Sequence, residues 1–308
     1  MRRPGLLILL LPLGALAADK PPLTLGICQL YGAEQARAVG PLVEPYLTQA
    51  LGGPVTVKVF AEPDELAAAL ARKQVDLAWI PPLAFVHASQ KDPEVQALSK
   101  AMRNGSLTYR SVLFVLKDAP AKKVKDLKGA HVAYVTRSST SGYLYPRELV
   151  RKETGQAADH FFGAESFEGD HPSVCQAVKS GAAQLGATYA AEVSDPLLVK
   201  ADGCGAEAGE FRVLASTGNV PNEVIAARSD FPPLRLNDVV AAFGRMGLSE
   251  PGKKVLAEAF RVDGWGVAVD GDFAPIIDLL SLKHVKAKVA PPEGAAPPPA
   301  PRKRGKKK

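Results

Sequence analysis

Asp126–Val150 reads DLKGAHVAYVTRSSTSGYLYPRELV. The apolar run His131–Val135 has the composition of a buried strand, and Tyr143–Lys152 that of a helix. Ser139, Thr140 and Ser141, followed by Gly142, stand at the junction between them. One hydroxyl suffices to cap a helix. Three in a row, then a glycine, concentrate O–H donors, free backbone N–H groups and the positive end of a helix dipole at one point. That combination suits an oxyanion such as phosphate, phosphonate, sulfate or carboxylate.

The same strand–helix alternation extends in both directions. Upstream, Leu23–Cys28 and Val55–Phe60 read as strands, Ala33–Leu51 as a helix stopped by Gly52-Gly53, and Pro63 opens a helix to Arg72. Val75–Ile80 reads as a strand that ends at Pro81-Pro82. Downstream, Tyr109–Leu116 is a strand, His160–Phe162 is strand-like, Pro172–Ser180 is helical and Gln184–Ala187 is a short strand. Phe211–Ala215 and Glu223–Ala227 are strands, and Asn237–Met246, Pro251–Phe260 and Asp272–Leu282 are helices. The rhythm predicts an α/β fold of largely parallel sheets covered by helices. Two β/α series followed by a return segment predict two lobes, with crossings near Leu107–Ser111 and Ser216–Asn222. The expected division is 18–108 plus 217–289 for the first lobe and 109–216 for the second. Ligands of such folds sit in the crevice outside the carboxyl ends of strands. Trp79 ends one strand before the Pro-Pro turn and is the better cleft candidate of the two tryptophans, Trp265 being a packing residue.

The ends of the chain differ from its body. Arg2 and Arg3 precede an apolar run closing in Ala15-Leu16-Ala17, which predicts a secretory signal peptide over 1–17 and an exported, periplasmic protein. No cysteine follows that run directly, so no lipid anchor is expected. Residues 290–308 are Pro/Ala-rich and then basic, a composition that does not build a core and predicts a disordered tail. The tail is suited to anionic envelope surfaces or simply to solubility. The chain has 38 Lys+Arg against 32 Asp+Glu, but eight of the basic residues lie at the two ends. The body is close to neutral, which argues against a nucleic-acid partner. Export permits a disulfide: Cys175 and Cys204 stand in the same half of the chain, Cys28 in an apolar strand, and spacing leaves the pairing open.

No G-x-S-x-G elbow, S-x-x-K or metal motif is present, so neither an enzyme nor a metal or other cofactor is expected. Asp170, Glu192 and Asp195 read as surface carboxylates. Tyr143 and Tyr145 are two residues apart, which directs them to different faces of a helix rather than to one metal.

Taken in order, PLVEPYLTQALGGPVTVKVF, VDLAWIPPLAFV, YRSVLFV, the stretch quoted first and HPSVCQAVKSGAAQLGATY resemble the phosphate/phosphite/phosphonate-binding proteins of ABC transporters. The resemblance runs from about Leu23 to Leu282. It implies a two-lobe periplasmic binding protein of type II, with a ligand cleft between lobes joined by two crossover strands. It further implies a monomeric receptor that delivers a small phosphorus oxyanion to an inner-membrane permease. Ser139, Thr140 and Ser141 would hold the oxyanion, Gly142 would allow close approach, and His171 and Tyr109 would assist. Three positions depart from the family pattern: Asp170 where serine is usual, Phe85 where tyrosine is common, and Gln184 where aspartate is common. They leave open the alternative of a sensory or envelope-interaction protein that reuses the fold.

Overall fold

The computed structural model describes residues 20–30, 32–193, 195, 198–269 and 271–282. The expected signal peptide and basic tail lie outside these residues. The first series runs β1 (Leu23–Cys28), α1 (Ala33–Leu51), β2 (Val55–Phe60), α2 (Pro63–Ala71), β3 (Leu77–Ile80), α3 (Pro82–Lys91) and β4 (Gln96–Met102). The second runs β5 (Thr108–Leu116), β6 (His131–Tyr134), α4 (Tyr145–Thr154), α5 (Ala158–Phe161), β7 (Ala164–Phe167), α6 (His171–Lys179), β8 (Leu185–Ala191), β9 (Phe211–Ser216) and β10 (Val220–Pro221). The return comprises β11 (Val224–Ala227), α7 (Pro233–Gly244), α8 (Glu250–Lys254), β12 (Gly264–Val267) and α9 (Ala274–Leu282).

These strands form two six-stranded sheets. The first has the order β12-β4-β11-β3-β1-β2; the second has the order β10-β5-β8-β6-β7, with β9 also paired to β5. The sheets are mixed rather than largely parallel. β1 pairs in parallel with β2 and β3, and β6 with β7 and β8. β11 runs antiparallel to β3 and β4, and β5 antiparallel to β8, β9 and β10. The reversal arises because β11 enters the first sheet from the second, head-on to the strands already there.

Both faces of each sheet are covered, so central strands are apolar throughout rather than alternating. In β3, Leu77 and Trp79 face the cluster formed with α1 and α7, while Ala78 and Ile80 face the cluster formed with α2 and α3. Helix α1 buries Ala36, Val39, Val43, Leu47 and Leu51, the i, i+3/i+4 stripe such packing requires. It ends at Gly52 in the left-handed region, whose N–H donates to the Thr48 carbonyl. In the second lobe, Tyr134 and Leu185 pack under α4 and α5, while Phe114 and Ala133 pack under α6.

His160–Phe162 is not a strand. Helix α5 and the bend after it bury Phe161 and Phe162 in one cluster, which the alternation of a strand would have split. The strand comes later, at Ala164–Phe167. The bend passes through Gly163, where an added Cβ would lie 2.4 Å from the Gly129 carbonyl oxygen.

The chain passes from the first sheet to the second between Met102 and Thr108, and back between Pro221 and Val224. The first passage contains a tight turn in which Arg103 and Ser106 exchange backbone hydrogen bonds across Asn104 (φ 51°) and Gly105 (φ 72°). Positive φ at both central positions is the Asn-Gly signature of a type I′ turn. The buried Asn222 side chain, in the return passage, donates to the carbonyls of Ala101 and Ser106 and so ties the two passages together.

Candidate functional site

The hydroxyl run lies where β6 gives way to α4, and its backbone is wider than an α-helix. Thr140–Leu144 form a π-turn in which Leu144 N–H donates to Ser139 O at 3.1 Å and Tyr145 N–H to Thr140 O. π-turns are rare and concentrate at functional sites. Ser139 is the cap: its Oγ accepts the Gly142 N–H at 3.0 Å, which leaves the hydroxyl proton to donate elsewhere. Thr140 Oγ1 accepts the Leu83 N–H of α3, from the opposite lobe, at 2.9 Å. Ser141 is held through its carbonyl, which accepts from Ser111 Oγ at 2.8 Å.

A cavity of about 190 Å³ opens between the sheets. Ser139, Thr140, Ser141, Tyr109 and His171 all line it, although they come from three separate segments. The Tyr109 hydroxyl lies against those of Ser141 and Thr140, and burial raises its pKa, with Glu223 adding to the rise. His171 opens α6; its Nδ1 is 2.8 Å from Thr188 Oγ1, and its ring stacks edge-on against Tyr189 at 4.9 Å. Burial pushes the imidazole from 6.5 down to about 4, against the opposing pull of Glu223 and Asp170. The ring is therefore neutral at pH 7, a one-donor group rather than an imidazolium.

This depression predicts a pH profile. The folded state binds fewer protons than the unfolded state between pH 6.5 and about 4, so the His171 contribution is complete above 6.5 and is lost as pH falls through that window. Chemical denaturation across the range is expected to show falling stability, and His171→Gln to flatten the slope.

Two expected site residues lie elsewhere. Trp79 is fully buried, 4.9 Å edge-on from Phe260, because its parity in β3 turns it into the α1 side of the first sheet instead of the cleft. Gly142 does not line the cavity. A Cβ there would stand 2.3 Å from Val135 Cγ2 and 2.8 Å from Ser139 Oγ, so the glycine admits the end of β6 against the π-turn rather than a ligand.

The three departures from the family pattern have structural explanations. Asp170 is the N-cap of α6, accepting the Ser173 N–H at 2.8 Å, and does not line the cavity. Asp170→Ala is expected to cost about 1 kcal/mol in denaturant stability. Phe85 packs against Phe273 at 4.6 Å, within the first lobe. Gln184 Oε1 accepts the His131 N–H at 2.8 Å at the start of β6.

Sequence reasoning missed the charged part of the wall. Arg103 and Glu223 line the cavity and pair at 2.6 Å; Glu192 also lines it and pairs with Arg110 at 2.5 Å. Asp202 faces the cavity while accepting the Ala191 N–H at 2.7 Å. Arg103 and Glu223 flank the two passages between sheets, and that position was the available signal. Glu192 had read as a surface residue. The disulfide Cys175–Cys204, with Cα atoms 5.6 Å apart, joins α6 to the 3₁₀ segment Asp202–Glu210, and so braces the walls that carry His171 and Asp202. Cys28 is a buried free thiol. Among the described residues no helix is long and apolar enough to cross a membrane.

Comparison with known proteins agrees with this architecture. A Pseudomonas aeruginosa binding protein component of an ABC phosphonate transporter superposes with a TM-score of 0.72 at 20% identity, over 86% of this chain and 87% of that one. PhnD1 from Prochlorococcus marinus, solved in complex with methylphosphonate, gives 0.70 at 19% identity, over 85% and 98%. Both are binding proteins of the two-lobe type II fold. A phosphate-import protein PhnD from Mycolicibacterium smegmatis is 25% identical over 179 residues, 56% of this chain and 55% of the relative, so the match spans about half of that curated protein. The family model described as "ABC transporter, phosphonate, periplasmic substrate-binding protein" matches residues 29–273. Members of that family are binding components of transporters and not enzymes. With its two mixed sheets and the cavity between them, the chain belongs to the family of periplasmic substrate-binding proteins of ABC phosphonate transporters.

Proposed function

We propose that this protein is the periplasmic receptor of an ABC importer, exported by its N-terminal signal, and that it closes on a small phosphorus oxyanion and hands it to an inner-membrane permease. One observation carries the reading: hydroxyls of Ser139, Thr140, Ser141 and Tyr109 and the imidazole of His171 converge on a single small cavity. A tetrahedral oxyanion needs several converging donors, and hydrogen bonds to a charged group are about twice as strong as neutral ones. In the tautomer in which Thr188 donates to Nδ1, His171 offers Nε2–H and adds a donor without adding charge.

The charged part of the lining supports a refinement. Glu192 Oε1 is engaged by Arg110, but its Oε2 is buried with no hydrogen-bond partner among the described residues. A buried, unsatisfied carboxylate oxygen carries an energetic penalty that a donor on the ligand would relieve. A phosphonate whose substituent carries an amine therefore fits this lining better than inorganic phosphate does.

Calorimetric titration of the mature protein tests both statements, after unfolding and refolding to strip any carried ligand. The panel is phosphate, phosphite, methylphosphonate, 2-aminoethylphosphonate and sulfate. Micromolar or tighter binding of a phosphorus compound is expected, tightest for 2-aminoethylphosphonate. A preference for methylphosphonate would remove the amine refinement. Silence across the panel from a folded protein would overturn the receptor reading and favour a fold reused for sensing or envelope contact.

A further inference from the structure

The hydroxyl segment has a second face that the cavity does not use. Within Thr140–Tyr145, Tyr143 points into the second lobe, against Tyr134 at 5.3 Å and Arg137 Nη1 at 3.1 Å. Leu144 and Tyr145 do the opposite. Both are buried, and both belong to the apolar cluster of the first lobe that contains Leu83, Ala84 and Phe85 of α3. The π-turn accounts for the split, because its extra residue rotates the following side chains by about a quarter turn relative to an α-helix. Neither Leu144 nor Tyr145 lines the cavity. Beside them, the Thr140 hydroxyl accepts the Leu83 N–H, which satisfies one of the orphan donors in the first turn of α3. One short segment of the second lobe thus covers the N-terminal turn of α3 with both an acceptor and an apolar plug.

We propose that Leu144 and Tyr145 are positioning residues for ligand retention, which latch the second lobe onto α3 of the first and hold the cleft shut without touching the ligand. The inference rests on the receptor reading only for the word ligand; the latch itself is a property of the two lobes. Burial of two large apolar side chains between lobes favours the closed arrangement, and closure slows escape more than it speeds capture. The Tyr145 hydroxyl is buried with no hydrogen-bond partner among the described residues, so the ring and not the oxygen is the working part.

Spin labels on cysteines introduced at the exposed Lys91 and Lys152, one in each lobe, report the interlobe distance distribution with and without added methylphosphonate or inorganic phosphate. Leu144→Ala and Tyr145→Ala are expected to shift the distribution to longer distances. For any probe that binds, they should raise the dissociation rate at least tenfold, with the association rate within about twofold of wild type. Tyr145→Phe is expected to match wild type in both readouts, which a merely polar role would not allow. Near-UV circular dichroism checks folding, and Leu144→Val carries the test if Leu144→Ala loses its native signature. Distances in the alanine variants identical to wild type under both conditions would overturn the latch. Silence of wild type across the whole calorimetric panel would instead overturn the receptor reading, and the distances would still decide the latch.

Discussion

Replacing Ser139 and Thr140 together by alanine is expected to weaken binding of the preferred phosphorus compound at least tenfold. Each hydroxyl would donate to a charged group, and such bonds contribute about 1.5 kcal/mol or more, so loss of both corresponds to about a hundredfold. Both side chains also have structural partners: Ser139 Oγ caps the π-turn through Gly142 N–H, and Thr140 Oγ1 accepts the Leu83 N–H from the other lobe. The double variant thus loses donors, a cap and a contact between lobes together. Thr140→Ser separates the effects, since it keeps a hydroxyl and should recover most of the affinity. Titration calorimetry on folded variants is the measurement, and an unchanged dissociation constant in the double variant would remove these residues from the site.

Loss of the disulfide is expected to be the largest single stability defect. Cys175 and Cys204 are 29 residues apart, and closing a loop of that length removes unfolded-state entropy equivalent to about 3.5 kcal/mol in the chain-entropy model. Cys175→Ser with Cys204→Ser should lower the guanidinium midpoint accordingly. It should also weaken ligand binding, because the bond ties His171's helix to the segment that begins at Asp202. Equal midpoints for the oxidised protein and the double serine variant would show that the bond contributes nothing to folding in solution.

Much of this molecule is legible from local patterns. Strands such as Leu23–Cys28 and Val55–Phe60, the helix stopped at Gly52 and the hydroxyl run carry their signals within a few residues. His171 and Tyr109 came from the family resemblance rather than from a local pattern, and both line the cavity. The other wall of the cavity was not legible, because its geometry is made by distant pairing. Arg103 and Glu223 are 120 residues apart and meet only because the chain crosses between sheets twice. Trp79 shows the converse failure. Its place at the end of a strand was correct, but strand position does not say which of two buried faces receives the side chain. Strand β4 escaped notice for a related reason: QALSKAM has weak alternation, and its buried Lys100 is tolerated only through the pair with Asp272 at 2.7 Å.

The free thiol of Cys28 has a consequence for how the chain matures. Cys28 is the first cysteine to leave the ribosome, yet the native bond joins the second and third. In an oxidising compartment, pairing in order of appearance would yield Cys28–Cys175 and strand Cys204. Burial raises the thiol pKa of folded Cys28, which suppresses the thiolate needed for exchange. Until β1 is enclosed by its neighbours that protection is absent. Correct oxidation therefore becomes a race between assembly of the first lobe and oxidation of Cys28, and the yield of native protein should rise when a disulfide isomerase is present to reverse the early mistake.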